Sequence, residues 1–197
     1  MSVAARISTR IKYIPKGKPF SIERFTAEGS RAAVDKALSR LTVSGALERV
    51  ARGIYMRPKI SQFAGHVQPS ALDVVRVIAR HNRETIQVHG AEAVRSFNLS
   101  TQMQTRPVIY TSGSSREVTI GRSTVRLRHV APEKLQYAGT KVGLALCALF
   151  YLGKDGVSDT VVASIRDQLT ASEFRQLSAS KMPAWMHAAV RQARHGT

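Results

Sequence analysis

Apolar residues recur with helical spacing in two parts of the first sixty positions. Within residues 2–14 they are separated by four, four and three positions, which predicts a helix that ends before Pro15. Within 30–43 they again fall on one helical face, opposite a polar face. Ser21 and Gly29 bound a short helix between these two. The pattern therefore predicts three helices, the last two joined by a tight turn at Gly29.

A hairpin is predicted directly after these helices. The stretch ALERVARGIYMRP is typical of two short strands. Ala51, Arg52 and Gly53 are expected to form a three-residue loop, in which the glycine supplies a positive φ. Three helices followed by a hairpin is the order of a winged helix-turn-helix, which we expect over residues 1–60.

A second set of elements follows residues 61–68, which lack periodicity and are expected to form a linker. An amphipathic helix, a short strand and another helix come first. Three strands are then predicted within 106–130, with a turn at Gly121 and Arg122, before helices that continue to the end. The predicted fold class is α+β. The winged helix-turn-helix is followed by a larger α+β domain, 69–197, with a small antiparallel sheet and C-terminal helices.

The charge of the chain indicates a polyanionic partner. The sequence holds 30 Lys and Arg against 13 Asp and Glu, a formal net charge of +17, and residues 1–59 alone hold 13 basic and 4 acidic residues. Such an excess opposes compaction by self-repulsion, and a polyanion relieves that cost. Nucleic acid is favoured over a membrane surface because the basic residues are spread along the chain. The longest apolar run, Leu144–Leu152, is too short for a bilayer, so we expect a cytoplasmic protein without a membrane partner.

The second helix of a helix-turn-helix enters the major groove, so its solvent face needs small or hydrogen-bonding side chains. Helix 30–43 meets this requirement, although an ordinary amphipathic surface helix has the same pattern. The hairpin beside it favours DNA. The residues predicted to contact phosphates, base edges or a thymine methyl in this domain are Lys16, Lys18, Ser30, Arg31, Ala32, Lys36, Ser39, Arg40, Arg52, Arg57 and Lys59.

The strand TVRLRHV supplies a second basic feature. Arg122, Arg126 and Arg128 are expected to share one face, where they would contact a neighbouring stretch of phosphates. A half-exposed sheet with its polar residues outward explains the same alternation without a ligand.

Signals for catalysis are weak. The six histidines show no metal-binding spacing with an acid or cysteine, SGSSRE lacks the Gly-Lys-Ser/Thr ending of a phosphate loop, and no serine lies in a nucleophile elbow. Cys147 lies in an apolar run and is expected to be buried. We expect no enzyme, metal or cofactor. A nucleotide-handling protein with a basic second domain and an RNA-binding module remain as alternatives.

Three stretches resemble the AbiEi-family antitoxins of type IV toxin-antitoxin systems: SVAARISTRI, GSRAAVDKALSRLTVSGALERVARGIYMRPK and APEKLQYAGTKVGLALCALFYLGKDGV. The resemblance implies a transcriptional autorepressor that binds promoter repeats in double-stranded DNA and is encoded beside an AbiEii-like nucleotidyltransferase toxin. It implies that the N-terminal domain represses and the C-terminal domain carries the antitoxin activity, to which it assigns no residue. By motif position it assigns DNA contact to the helix with Arg31, Lys36, Ser39 and Arg40, and to the wing with Arg52.

Overall fold

The computed structural model describes residues 1–63, 65–102 and 106–195, apart from the side chains of the last two. Helices and small sheets make it an α+β fold, which confirms the predicted class. The α-helices are α1 (Val3–Lys12), α2 (Arg31–Val43), α3 (Ala71–Asn82), α4 (Gly90–Ser96), α5 (Lys141–Gly156), α6 (Asp159–Asp167), α7 (Ala171–Ser178) and α8 (Ala184–His195). Two 3-10 helices span Ile22–Glu28 and Pro132–Leu135. The strands are β1 (Pro19–Ser21), β2 (Glu48–Ala51), β3 (Ile54–Met56), β4 (Ile60–Ser61), β5 (Gly65–His66), β6 (Ile86–Val88), β7 (Val108–Thr111), β8 (Arg116–Ile120) and β9 (Ser123–His129).

The chain forms two compact units. The N-terminal unit comprises Met1–Glu84 with Glu117–Val125, and the C-terminal unit comprises Thr85–Arg116 with Arg126–Thr197. This division differs from the predicted boundary at residue 69, because α3 and the tip of the β8–β9 hairpin belong to the N-terminal unit.

Helices α1 and α2 form the main core of the N-terminal unit together with a three-stranded sheet. Ile7 and Ile11 of α1 pack with Leu38 of α2, and Phe25 of the first 3-10 helix lies fully buried among them. The sheet has the order β1-β3-β2, with both pairings antiparallel. Tyr55 of β3 faces this core. The elements thus run helix, strand, helix, helix, strand, strand.

A second, smaller core covers the opposite face of the same sheet. Ile54 and Met56 alternate with Tyr55 along β3, so they face away from α1 and α2 and pack against Val74 of α3. Ile120, from the tip of the β8–β9 hairpin, packs on the same cluster. Helix α3 joins the N-terminal unit because the sheet is apolar on both faces and needs a cover on each.

The hairpin loop is one residue shorter than predicted. Ala51 pairs with Ile54, which leaves only Arg52 and Gly53 in the loop, and a bulge between Arg49 and Ala51 absorbs the change of register. Gly53 has φ +73°, as the prediction required, and its carbonyl accepts a hydrogen bond from the Ile22 N–H at 2.9 Å. The loop is therefore anchored to the start of the first 3-10 helix.

The predicted linker at 61–68 contains a small hairpin instead. Strands β4 and β5 pair antiparallel, with Ile60 opposite His66, and residue 64 lies outside the described residues. The Glu48 carboxylate lies 3.0 Å from the His66 ring and accepts a hydrogen bond from Gln68. Contacts of this kind tie the segment to β2, although nothing in its periodicity indicates a strand.

The sheet of the second half has the order β6-β7-β9-β8 and is mixed, which corrects the prediction of an antiparallel sheet. Strand β6 pairs antiparallel with β7, but β7 and β9 run parallel. The reason is topological: β8 leaves the position next to β7 free, and β9 returns into that position in the direction of β7.

Helix α5 forms the centre of the C-terminal unit. Its residues from Val142 to Leu149 are buried almost without interruption, and α4, α6, α7 and α8 contribute to the same core. Gly90 allows α4 to approach α5, because a Cβ there would stand 2.3 Å from the Tyr151 Cβ. In the described part of the chain, no helix has the length and apolar character needed to cross a membrane.

Candidate nucleic-acid interface

Helix α2 presents a polar face to solvent on the side opposite its buried residues. Ser30 begins the helix, and its hydroxyl accepts a hydrogen bond from the Ala33 N–H at 3.3 Å. Val34 and Leu38 are buried, as the pattern predicted. The face they leave exposed carries Arg31, Ala32, Asp35, Lys36, Ser39 and Arg40.

Three of the four acidic residues of positions 1–59 are paired with arginines, and the fourth, Glu48, lies beside the ring of His66. Contact with the partner groups has the largest electrostatic effect. The hydrogen bonds from Arg10 and Arg6 lower the pKa of Glu28, whose side chain is largely covered, and the hydrogen bond to Glu23, followed by that to Asp35, raises the pKa of Arg31. Most other cations of this segment therefore keep their charge uncompensated. The pairs are Glu23 with Arg31, Glu28 with Arg6 and Arg10, Asp35 with Arg31, and Glu48 with His66.

An open cleft of about 720 Å³ lies between α2, the β2–β3 hairpin and the end of α3. Among the predicted residues it brings together Arg31 and Ser39 of α2 with Arg52 of the hairpin loop. Arg49 shares this side of the sheet, because it stands opposite Tyr55 in the pairing of β2 with β3. A polar, positively charged recess therefore adjoins the exposed face of α2.

A second groove, of about 470 Å³, collects other predicted cations between the ends of α1 and α2. Lys16, Arg57 and Lys59 line it. The Arg57 guanidinium donates to the carbonyls of Lys12 and Ile14, at 2.7 and 2.8 Å, so it holds the end of α1 rather than standing free. The remaining predicted cation of this region, Lys18, is exposed and lines neither cavity.

A family model matches residues 6–177, which is most of the chain. Its description is DUF6088, a family of unknown function. The chain belongs to the DUF6088 family. No curated protein matches the sequence significantly. Among solved structures, the crystal structure of RV2827C protein from Mycobacterium tuberculosis is similar at 15% identity and a TM-score of 0.42, over 98% of this chain and 78% of that one.

The basic residues of the β8–β9 hairpin are divided between the units of this DUF6088 chain. Arg122 lies in the turn and belongs to the N-terminal unit. Arg126 and Arg128 belong to the C-terminal unit, where they stand opposite Val108 and Tyr110 of β7. Both are exposed and alternate with buried neighbours, as the strand pattern predicted. The expected common face thus holds for Arg126 and Arg128 as a pair.

The described residues contain no group of three or more His, Cys, Asp or Glu side chains placed to hold a metal ion. Burial lowers the pKa of His89, with a smaller contribution from Arg128, and the His89 Nδ1 accepts a hydrogen bond from the Ala91 N–H at the start of α4. Cys147 is buried as expected, and that burial raises the pKa of its thiol to about 12. Both side chains therefore have a structural role: His89 caps α4, and Cys147 packs in the core of the C-terminal unit.

Sequence reasoning missed several polar residues of the first cleft, among them Arg49, His81 and Asn82. Arg49 carries a usable signal, since it precedes the buried Val50 and must point to the other face of its strand. His81 and Asn82 carry no such signal, because the sequence pattern places their helix in the second domain.

Proposed function

We propose that this protein is a DNA-binding transcriptional regulator that uses its N-terminal unit as a winged helix-turn-helix. The observation that carries the proposal is the exposed polar face of α2. This is the third helix in the order helix, strand, helix, helix, strand, strand, and it lies beside a sheet of order β1-β3-β2. That is where a winged helix carries its recognition helix. In this assignment α1, the first 3-10 helix and α2 are the three helices, and β2 and β3 form the wing.

Side chains on the exposed face suit a major groove. Lys36 and Arg40 are four residues apart, so they lie one above the other on the helix surface. Lysine and arginine donate to guanine edges or phosphates, Ser39 donates or accepts, and Ala32 fits against a thymine methyl. Arg31 pairs with Asp35 beside them, and this pairing removes much of the repulsion between that carboxylate and a phosphate backbone.

We further propose, from the resemblance to AbiEi antitoxins, that the protein represses its own promoter and opposes an AbiEii-like nucleotidyltransferase toxin. Co-expression with the product of an adjacent toxin-like reading frame tests this part. Restored growth of the host supports it, and unrelieved toxicity contradicts it.

The DNA-binding part is tested by gel shifts of the full chain on the duplex upstream of its own gene, at several salt concentrations. If about five phosphates are neutralised, log Kobs falls against log salt with a slope of about −4 to −5. A duplex RNA of the same sequence is the control, because the deep, narrow major groove of A-form RNA does not admit a helix such as α2. A flat salt response, or tighter binding to the RNA, contradicts the proposal and favours an RNA-binding module.

A further inference from the structure

The cleft beside α2 has a third wall that a winged helix-turn-helix alone does not supply. Arg49 and Arg52 come from the hairpin, Asp35 and Ser39 come from α2, and His81 comes from the last turn of α3. All of these elements belong to the N-terminal unit. The cleft is therefore a feature of this chain's extended domain rather than of the six elements before residue 60.

The position of the third wall is fixed by packing. Ser70 caps α3, and its hydroxyl accepts a hydrogen bond from the Asp73 N–H at 3.1 Å. Val74 is fully buried against β3, and Ile78, one turn before the helix end, packs on the same cluster while it lines the cleft. The helix ends at Arg83, whose φ of +57° closes the last turn. His81 is thus held on a rigid element.

The charge of the cleft is uneven. Its two acids, Glu23 and Asp35, are both bound by a single cation, Arg31, at 2.6 and 3.2 Å. Neither Arg49 nor Arg52 has an ion-pair partner among the residues that the structure describes. Two guanidinium groups without an ion-pair partner therefore line an open recess, and the His81 imidazole lines the same recess.

We propose that this cleft binds a phosphate of the DNA backbone through Arg49, Arg52 and His81, with α3 as a backbone clamp beside the recognition helix. The inference rests on the proposed function. Guanidinium groups match phosphate oxygens as paired donors, and an imidazole adds a further donor. When α2 lies in the major groove, the DNA strand that borders the groove passes the hairpin and the end of α3. A free phosphate-bearing small molecule has the same chemistry, so the test separates the two sources.

The test measures fluorescence anisotropy of the full chain on the upstream duplex and on a scrambled duplex, for Arg49→Gln, His81→Ala and the parent. A lost charge-assisted contact to phosphate weakens binding about tenfold, which corresponds to about 1.4 kcal/mol. We expect a loss of that order for Arg49→Gln and a smaller loss for His81→Ala. Both losses occur equally on the two duplexes, and Arg49→Gln makes the salt slope shallower by about one.

Arg175→Gln is the matched control, because it removes the same charge from an exposed position on α7 of the C-terminal unit. Unchanged melting curves show that each variant is folded, and His81→Ala keeps the test open if Arg49→Gln does not fold. If both cleft variants bind like Arg175→Gln while the parent binds duplex, the clamp is wrong and the proposed function stands. If the parent binds no duplex, both are wrong.

A titration of the unliganded chain with inorganic phosphate, followed by calorimetry, addresses the other source. We expect no saturable binding below about 1 mM, because one phosphate fills little of a cleft of about 720 Å³. Saturable binding that Arg49→Gln abolishes, with duplex affinity unchanged, overturns the backbone clamp and makes the cleft a site for a free anion.

Discussion

The two compact units differ in where their polar groups are used. In the N-terminal unit Glu23, Glu28 and Asp35 are paired with three arginines, and two open cavities beside α2 are lined by further cations, among them Arg49, Arg52, Lys16 and Lys59. In the C-terminal unit the dominant feature is α5, whose residues from Val142 to Leu149 are almost continuously buried against its neighbours. The first arrangement leaves charge available to a partner, whereas the second mainly provides a core.

The largest expected effect tests how closely the C-terminal unit is packed. Gly90→Ala places a Cβ against the Tyr151 Cβ, at a separation of 2.3 Å if nothing moves, so α4 and α5 must separate. Overpacking of this kind costs about 1 to 3 kcal/mol, which thermal unfolding reports as a lower Tm. Gly156→Ala is the control, because its nearest contact is 3.3 Å and the site is exposed. Equal Tm values for the two variants would contradict the close approach of α4.

A pair of helix caps separates stability from function. Ser30 caps α2 and Thr170 caps α7, each by accepting a hydrogen bond from a backbone N–H three residues on. Replacement of either by Ala costs about 1 kcal/mol of stability. Only Ser30→Ala is expected to weaken DNA binding, since it alone lies at the proposed interface. Equal loss of binding in both variants would mean that affinity follows global stability and not the position of α2.

The smallest expected effect concerns the paired acids. Arg10 first, and then Arg6, lower the pKa of Glu28 in the folded protein. The stabilisation is therefore complete above the ordinary carboxyl value near 4.5 and is lost as the pH falls through the lowered folded-state value. Glu28→Gln should flatten the acid side of the stability profile measured by urea unfolding. Glu117→Gln, which removes an exposed carboxylate elsewhere in the same unit, should leave that profile unchanged.

Local patterns predicted the parts of the fold that depend on neighbours in sequence. The buried face of α2 around Leu38, the cap at Ser30 and the turn at Gly121 all follow from spacing and residue type. The exposed positions of Lys36 and Arg40 follow as well, because the face opposite a buried stripe must be exposed. Their binding of DNA stays a prediction.

Features that depend on distant pairing were not predictable in the same way. Helix α3 looks like the start of a new domain, because its own amphipathic pattern does not state which sheet it covers. The parallel pairing of β7 with β9 depends on the path of β8, and strand composition does not encode that path. The structural use of Arg57 depends on carbonyl groups more than forty residues earlier in the chain.

The most direct test of the proposed DNA reader is the specificity of Lys36→Ala, measured by fluorescence anisotropy on the upstream duplex and on a scrambled duplex. Lys36 is exposed in the middle of α2, so folding should be unaffected. If it reads a base edge, the variant loses about 1 to 3 kcal/mol of binding free energy on the upstream duplex and much less on the scrambled one.

Lys154→Ala, at an exposed position near the end of α5, controls for net charge and should bind both duplexes like the parent. In contrast, Arg52→Ala should weaken binding to both duplexes alike, because a hairpin tip reaches the backbone and not the base edges. If Lys36→Ala and Arg52→Ala remain folded and bind the upstream duplex as tightly as Lys154→Ala does, α2 and its hairpin do not read DNA, and the account of the N-terminal unit is wrong.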